Sequence, residues 1–206
     1  GNPPYIRQEE LKDFKQLFKQ NFKLYTGTSD IYIFFIEKGF DIIKSKGIFT
    51  YIMPNKFMQA GYGKPARNFL INYNLIEIID FGDLQVFEEA TTYPTIIIAS
   101  KTTPKTSFNA LFVKTLSFPD SFTSYVKSNS TSIESSILTD DTWVISNSSE
   151  QVILEKIKRN SKSLDNYISG LANYGVKTGF SEAFFIDDET TNSIINKDSK
   201  SSNLIK

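Results

Sequence analysis

The 206-residue chain has no cysteine and no histidine. Those two absences exclude Ser-His-Asp and Cys-His nucleophile systems, His/Cys zinc sites and the zinc deaminases. A cytosine-C5 methyltransferase needs a thiolate nucleophile and is excluded with them. Chemistry here must run on Asn, Asp, Glu, Lys, Tyr, backbone groups or a cofactor. No cysteine also means that nothing argues for an oxidising compartment. No apolar run reaches the length of a membrane span, and the longest blocks, "IYIFFI" and "TIIIA", have the length of core elements. No signal peptide is expected. The common magnesium-nuclease pattern of Pro-Asp followed by Glu-x-Lys is missing. The only Pro-Asp is Pro119-Asp120, and the "ELK" of Glu10 to Lys12 precedes it. A cutting function would lie outside this sequence.

What remains has the composition of a globular protein, with 40% apolar and 22% charged residues and a length suited to one domain or one and a fraction. The net charge is zero but uneven. Residues 1–67 carry 11 Lys/Arg against 6 Asp/Glu, and residues 68–206 carry 12 against 17. A basic front suits a polyanionic partner, and a solvated mixture of charges is the equal alternative. The chain starts on Gly rather than Met and ends on the apolar upswing "SSNLIK", so it reads as an excised piece of a longer protein.

Periodicity predicts a helix over 8–23, with Leu11, Phe14, Phe18 and Phe22 on one face and Lys12, Lys15, Lys19 and Lys23 on another. Ser29 or Asp30 is positioned to cap a second, buried helix that stops at Gly47. "IFTYIM", bounded by Pro54, is an expected strand. "KPARNFLINY" reads as a helix, and "NLIEIIDFG", "YPTIIIASK" and "SFNALFVKTL" as further strands. Helices alternating with short β-branched strands predict an α/β layer fold. Residues 117–142 are rich in Ser and Thr and read as a linker or a loosely packed insert. "TWVIS" reads as a brief strand, and Ser148 or Ser149 caps a helix "EQVILEKIKRN". From about residue 164, short strands and turns are expected.

The opening "GNPPY" carries the chemistry. An exocyclic aromatic amine is a poor nucleophile because its lone pair is delocalised into the ring. Transfer of a methyl group to it needs acceptors aimed at both amine hydrogens, so that the nitrogen turns pyramidal and its lone pair faces the donor. The Asn2 side-chain carbonyl supplies one acceptor and the backbone carbonyl of Pro3 another. Proline restricts its predecessor and its own φ, so the loop is stiffened in advance. Tyr5 offers a ring face on which a purine stacks. No base of shifted pKa is needed, and positioning carries most of the rate. The plain alternative is a Pro-rich turn with an exposed Tyr.

"GNPPY" resembles the catalytic motif of the amino-methyltransferases that modify adenine N6 in DNA. "YIMPNKFMQAGYGKPARNFL", "IIDFGDLQVFEEATTYPTIIIASK" and "YGVKTGFSEAFFIDDET" resemble, in order and spacing, the TaqI-type enzymes, above all the long forms in type IIG restriction-modification and phage-defence systems. The resemblance implies roles for individual residues. Asn2 and Pro3 accept the amine hydrogens, Pro4 stiffens the loop, and Tyr5 and Phe87 stack on opposite faces of a flipped adenine. Phe87 as a core residue at a strand end is the alternative. Pro54 and Asn55 shape the pocket wall or form a structural turn. Lys56, Lys64 and Arg67 are candidate phosphate contacts, as are Lys177 and Thr178 in a turn with Gly179. For each of these a solvated side chain or a simple turn is the alternative. "GYG" lacks the third glycine of a dinucleotide fingerprint.

The implied fold is the C-terminal half of a Rossmann-like seven-stranded methyltransferase sheet, from its fifth strand onward. That half is expected over 1–116, a linker or insert with a connecting helix over 117–163, and the beginning of a mixed α+β target-recognition domain over 164–206. The implied cofactor is S-adenosylmethionine, touched here by Asn2 alone, because the family's glycine-rich strand–turn–helix precedes the motif and is not in this sequence. No metal is implied. The chain by itself is expected to lack methyl transfer and to bind the cofactor weakly. It is also expected to expose a sheet edge that invites dimerisation. Double-stranded DNA is the implied partner and the bacterial cytoplasm the implied location. Two other readings compete. Protein-glutamine N5 methyltransferases meet the same electronic problem with the same loop, and a non-catalytic DNA-binding module would use Tyr5 as ordinary surface.

Overall fold

A computed structural model of the chain describes residues 1–88, 92–145, 148–168 and 186–203. The chain divides into two compact units, Gly1–Lys156 and Ile157–Lys206. The first is built on a five-stranded sheet of β1 (Ile48–Pro54), β2 (Asn74–Asp80), β3 (Pro94–Ser100), β4 (Ser107–Phe112) and β5 (Thr131–Glu134), in the spatial order β1-β3-β2-β4-β5. β3 runs antiparallel to both neighbours, β2 and β4 are parallel, and β5 is antiparallel to β4. Hence β1, β2 and β4 point the same way. The first four strands match the β-branched runs of the sequence. β2 and β3 hold almost unbroken apolar residues because the sheet is covered on both faces there.

One face carries the larger core. α1 (Lys15–Asn21), α2 (Tyr32–Ile42) and α3 (Lys64–Leu70) are the helices of the segment before β2. Tyr32, Ile33, Ile36 and Phe40 of α2 pack with Phe49 and Met53 of β1, Phe57, Leu70, Ile78, Ile97 and Trp143. α2 is apolar on most sides because most sides are buried. The opposite face holds a smaller cluster of Ile79, Phe81, Leu111 and Val113, covered by Phe118, Phe122, Tyr125 and Val126. Three of those four lie on α4 (Phe122–Asn129). The Ser/Thr-rich stretch therefore forms a helix and the fifth strand. Its few apolar residues sit at helical spacing, and Ser121 caps the helix by accepting from Ser124 N at 3.1 Å.

Several local expectations are corrected. The first helix is shorter than 8–23, with a 3-10 turn at Lys12–Phe14 preceding α1. Gln8 N instead donates to Asp30 Oδ1 at 3.2 Å, which ties the chain ahead of the helix to the start of α2. Neither Ser29 nor Asp30 caps α2, whose N-cap is Ile31 with no side-chain bond. Asp30 is taken by Gln8 and by the Tyr62 hydroxyl at 3.1 Å. α2 ends at Ile42 rather than near Gly47. Lys101 Nζ donates to the carbonyls of Phe40 and Ile43, and Lys46 adopts φ +63° in the turn to β1. Trp143 is in no strand. It is 1% exposed, its backbone N donates to Met58 O at 2.8 Å, and its indole donates to Thr139 O at 2.6 Å.

α5 (Ser148–Asn160) follows, and both Ser148 and Ser149 lie within it rather than ahead of it. The second unit contains α6 (Leu164–Tyr167), capped by Ser163, and α7 (Asp188–Lys197), where the Asp187 carboxylate accepts from Thr190 N at 2.8 Å. Most of the strand-and-turn region expected after residue 164 lies outside the described residues. Among the described residues no helix is long and apolar enough to cross a membrane.

Candidate functional site

The carboxyl ends of β1 and β2 flank the start of β3, with Pro54 opposite Pro94 and Asp80 opposite Thr95. Three loops converge on this edge. The opening loop lies along β1: Gly1 N donates to Thr50 O at 2.6 Å, and Ile52 N donates to Gly1 O at 3.0 Å, a rung of parallel type. The second loop follows β1 through Asn55. The third leaves β2 at Phe81 and carries Phe87. In open α/β sheets this carboxyl edge is where ligands bind.

Within the opening loop Pro3 is buried, while Asn2 and Pro4 are exposed. Tyr5 is half-buried, and its hydroxyl donates to Ile52 O at 3.1 Å, so the ring is anchored to β1. Burial raises the Tyr5 pKa, leaving the phenol neutral at physiological pH. The half-buried Phe87 ring lies against Tyr5, with centroids 6.3 Å apart and planes at 65°. A residue ahead of β1 and one between β2 and β3 thus meet at one corner.

Asp80 is a residue that the sequence reading passed over. It ends β2, is 7% exposed, and its Oδ1 accepts from Asn55 Nδ2 at 2.9 Å and from Gly82 N at 3.0 Å. Burial pushes its carboxyl above the usual range, and the Asn55 and Gly82 donors pull it partly back. The signal in the sequence was an Asp closing an apolar strand two residues before a Gly, the mark of an Asx-type turn. Gly82 has φ +55°, and an added Cβ would lie 2.8 Å from the Phe112 ring.

The candidate phosphate contacts separate. Arg67 is withdrawn from that role by its burial: it is 3% exposed, and its guanidinium donates to Phe57 O, to Ala60 O at 2.9 Å and to Asp140 O at 3.1 Å. Burial lowers its pKa, while Asp141 and Asp140 raise it. Lys64 pairs with Asp140 at 3.1 Å on the surface, and Lys56 is exposed. Lys15, in the predicted lysine stripe, is held by Gln8 Oε1 and Gly27 O. Lys177 and Thr178 lie outside the described residues. Among the described residues no group of three or more acidic side chains gathers to hold a metal ion.

Comparison with known proteins finds similarity to restriction-modification methylases. Residues 1–87 match the Eco57I restriction-modification methylase family. The type II restriction enzyme and methyltransferase RM.Eco57I of Escherichia coli is 32% identical over 186 residues, covering 86% of this chain and 18% of that protein. The type II methyltransferase M.BstVI of Geobacillus stearothermophilus is 27% identical over 209 residues, covering 92% of this chain and 37% of that protein. The chain therefore spans well under half the length of these relatives. In fold it is similar to the type IIL restriction-modification enzyme MmeI, solved in complex with DNA. That match has a TM-score of 0.59 at 15% identity, over 98% of this chain and 26% of that one.

Proposed function

Taking residues 1–87 as Eco57I-type restriction-modification methylase sequence, we propose that the chain forms the target-amine side of a site-specific DNA adenine-N6 methyltransferase. The observation that carries the reading is the meeting of Tyr5 and Phe87 beside the Asn-Pro-Pro loop. An amine whose lone pair is delocalised needs its two hydrogens held and its ring fixed on both faces. Asn2 Oδ1 and the Pro3 carbonyl accept the hydrogens. Tyr5, anchored through Ile52, is the fixed face and Phe87 the opposing one. The base reaches this corner by leaving the duplex stack. S-adenosylmethionine, when bound, supplies the methyl group on a sulfonium. Exposed Asn2 is the residue of this chain that would help to hold it. The proton displaced from the amine leaves after the nitrogen becomes cationic, so neither Asp80 nor any other buried acid has to act as base. Lys56, which is exposed, is the candidate of this group that suits DNA phosphates near this edge.

The test uses the intact natural protein with unmethylated plasmid DNA and isotope-labelled S-adenosylmethionine. Label recovered as N6-methyladenine, with kcat lowered at least about a hundredfold by Asn2→Ala, is the expected result. Label on cytosine, on protein glutamine, or none in DNA would overturn the reading. The glutamine outcome would favour the second enzyme class, and DNA binding without label would favour a binding module.

A further inference from the structure

The loop that brings Phe87 to Tyr5 starts from a buried acid. A carboxylate taken out of water and supported by two donors is an expensive way to close a turn, because a neutral acceptor would accept the same two bonds with less desolvation. Asp80 spends both bonds on one oxygen and joins segments that are not neighbours in the sheet. Asn55 follows β1, Gly82 follows β2, and β3 lies between those strands. Each tied segment leads to one wall of the Tyr5–Phe87 corner. β1 holds Tyr5 through Ile52 O, and the β2–β3 loop holds Phe87.

From Gly82 onward the loop has little freedom. The left-handed φ of Gly82 and the Phe112 ring behind it set the direction of exit. Leu84 N then donates to Phe81 O and Val86 N to Leu84 O, both at 3.0 Å. Leu84 and Val86 pack on the smaller apolar cluster, while the next residue, Phe87, touches Tyr5. A change of exit at Gly82 is therefore delivered to the Phe87 ring.

We propose that Asp80 is a positioning residue, whose carboxylate sets the spacing of Tyr5 and Phe87 by holding Asn55 and Gly82 together. The proposal rests on the reading of those two rings as the base clamp, and Asp80 touches no substrate atom.

The test is a double-mutant cycle in the intact protein, scored as kcat/KM for methylation of unmethylated plasmid DNA. Asp80→Ala and Phe87→Ala are each expected to lower it about tenfold, the order of one lost base–aromatic stack. In the Phe87→Ala background Asp80→Ala should cost less than about twofold, because the ring it positions is gone. Asp80→Asn, which retains Oδ1 as acceptor, should stay within about threefold of wild type, and KM for S-adenosylmethionine should not move. Should Asp80→Ala fail to fold, Asn55→Ala removes one of the two bonds and goes through the same cycle with the same expectation. Additive losses would overturn the positioning role while leaving the clamp intact. An unchanged kcat/KM in Phe87→Ala alone would instead overturn the clamp reading, and this inference with it.

Discussion

Tyr5 and Phe87 meet edge to face, with ring centroids 6.3 Å apart and planes inclined by 65°. Two parallel rings enclosing a base stand about 7 Å apart, twice the carbon–carbon contact distance. Edge-to-face rings at 6.3 Å touch one another, so the corner as it stands is closed. Tyr5 is tethered through its hydroxyl and Phe87 is not, so under the proposed function Phe87 is the ring that would swing away to admit a base.

That asymmetry predicts unequal effects at Tyr5. Tyr5→Phe retains the stacking face and loses only the tether to Ile52 O, so kcat/KM for DNA methylation should fall less than about fivefold. Tyr5→Ala removes the face and should lower it by about one to two orders of magnitude. Steady-state kinetics on the two variants checks the ratio. Equal losses would mean that the hydroxyl, not the ring, is what the site needs.

Arg67 should matter for folding rather than for DNA. Arg67→Leu leaves the carbonyls of Phe57, Ala60 and Asp140 without their donor, which should destabilise the protein by about 2–4 kcal/mol. By contrast, breaking the surface pair of Lys64 with Asp140, whose side chains are 63% and 47% exposed, should cost under about 1 kcal/mol. Urea denaturation of Arg67→Leu and Lys64→Ala separates the two.

Gly63 tests the reading of "GYG". An added Cβ would sit 1.9 Å from Phe57 O and 2.7 Å from its Cα, both backbone atoms that cannot step aside. Gly63→Ala should therefore cost about 3 kcal/mol or more, whereas Gly61→Ala meets nothing within 4 Å and should cost little. A difference in thermal midpoint between the two alanine variants checks that Gly63 serves close packing, not phosphate binding.

Asp80 predicts a pH signature. Its folded pKa is raised, first by burial, so its contribution to stability is fully present below the unfolded carboxylate value of about 3.9. That contribution is lost as pH rises through the folded pKa. The melting temperature of wild type minus that of Asp80→Asn should therefore be greatest in acid, decline as pH rises, and level off above the raised pKa. Melts from acid to neutral pH give the curve, and a rising difference would contradict the buried carboxylate.

Much of this was legible along the chain. The strands "IFTYIM", "NLIEIID", "PTIIIAS" and "SFNALF" are local runs of β-branched and aromatic residues, and the burial of α2 follows from its apolar circumference. The proposed loop chemistry of Asn2 to Tyr5 rests on residues that are consecutive in the sequence. By contrast, the Ser/Thr-rich stretch concealed a helix, since Phe118, Phe122, Tyr125 and Val126 are few and show their purpose only against Phe81 and Val113. Arg67 and the backbone of Trp143 gave no local sign of their ties, because Asp140 O and Met58 O are brought to them from other segments.

The amino-acid sequence by itself determined the first four strands and the buried circumference of α2, because each of these depends on near neighbours. Only the tertiary structure decided that β3 lies antiparallel between β1 and β2, that Phe87 lands on Tyr5, and that Asp80 joins the two loops beside them. Those outcomes depend on pairing between distant segments, where hydrogen-bond register and burial, not local preference, choose the partner.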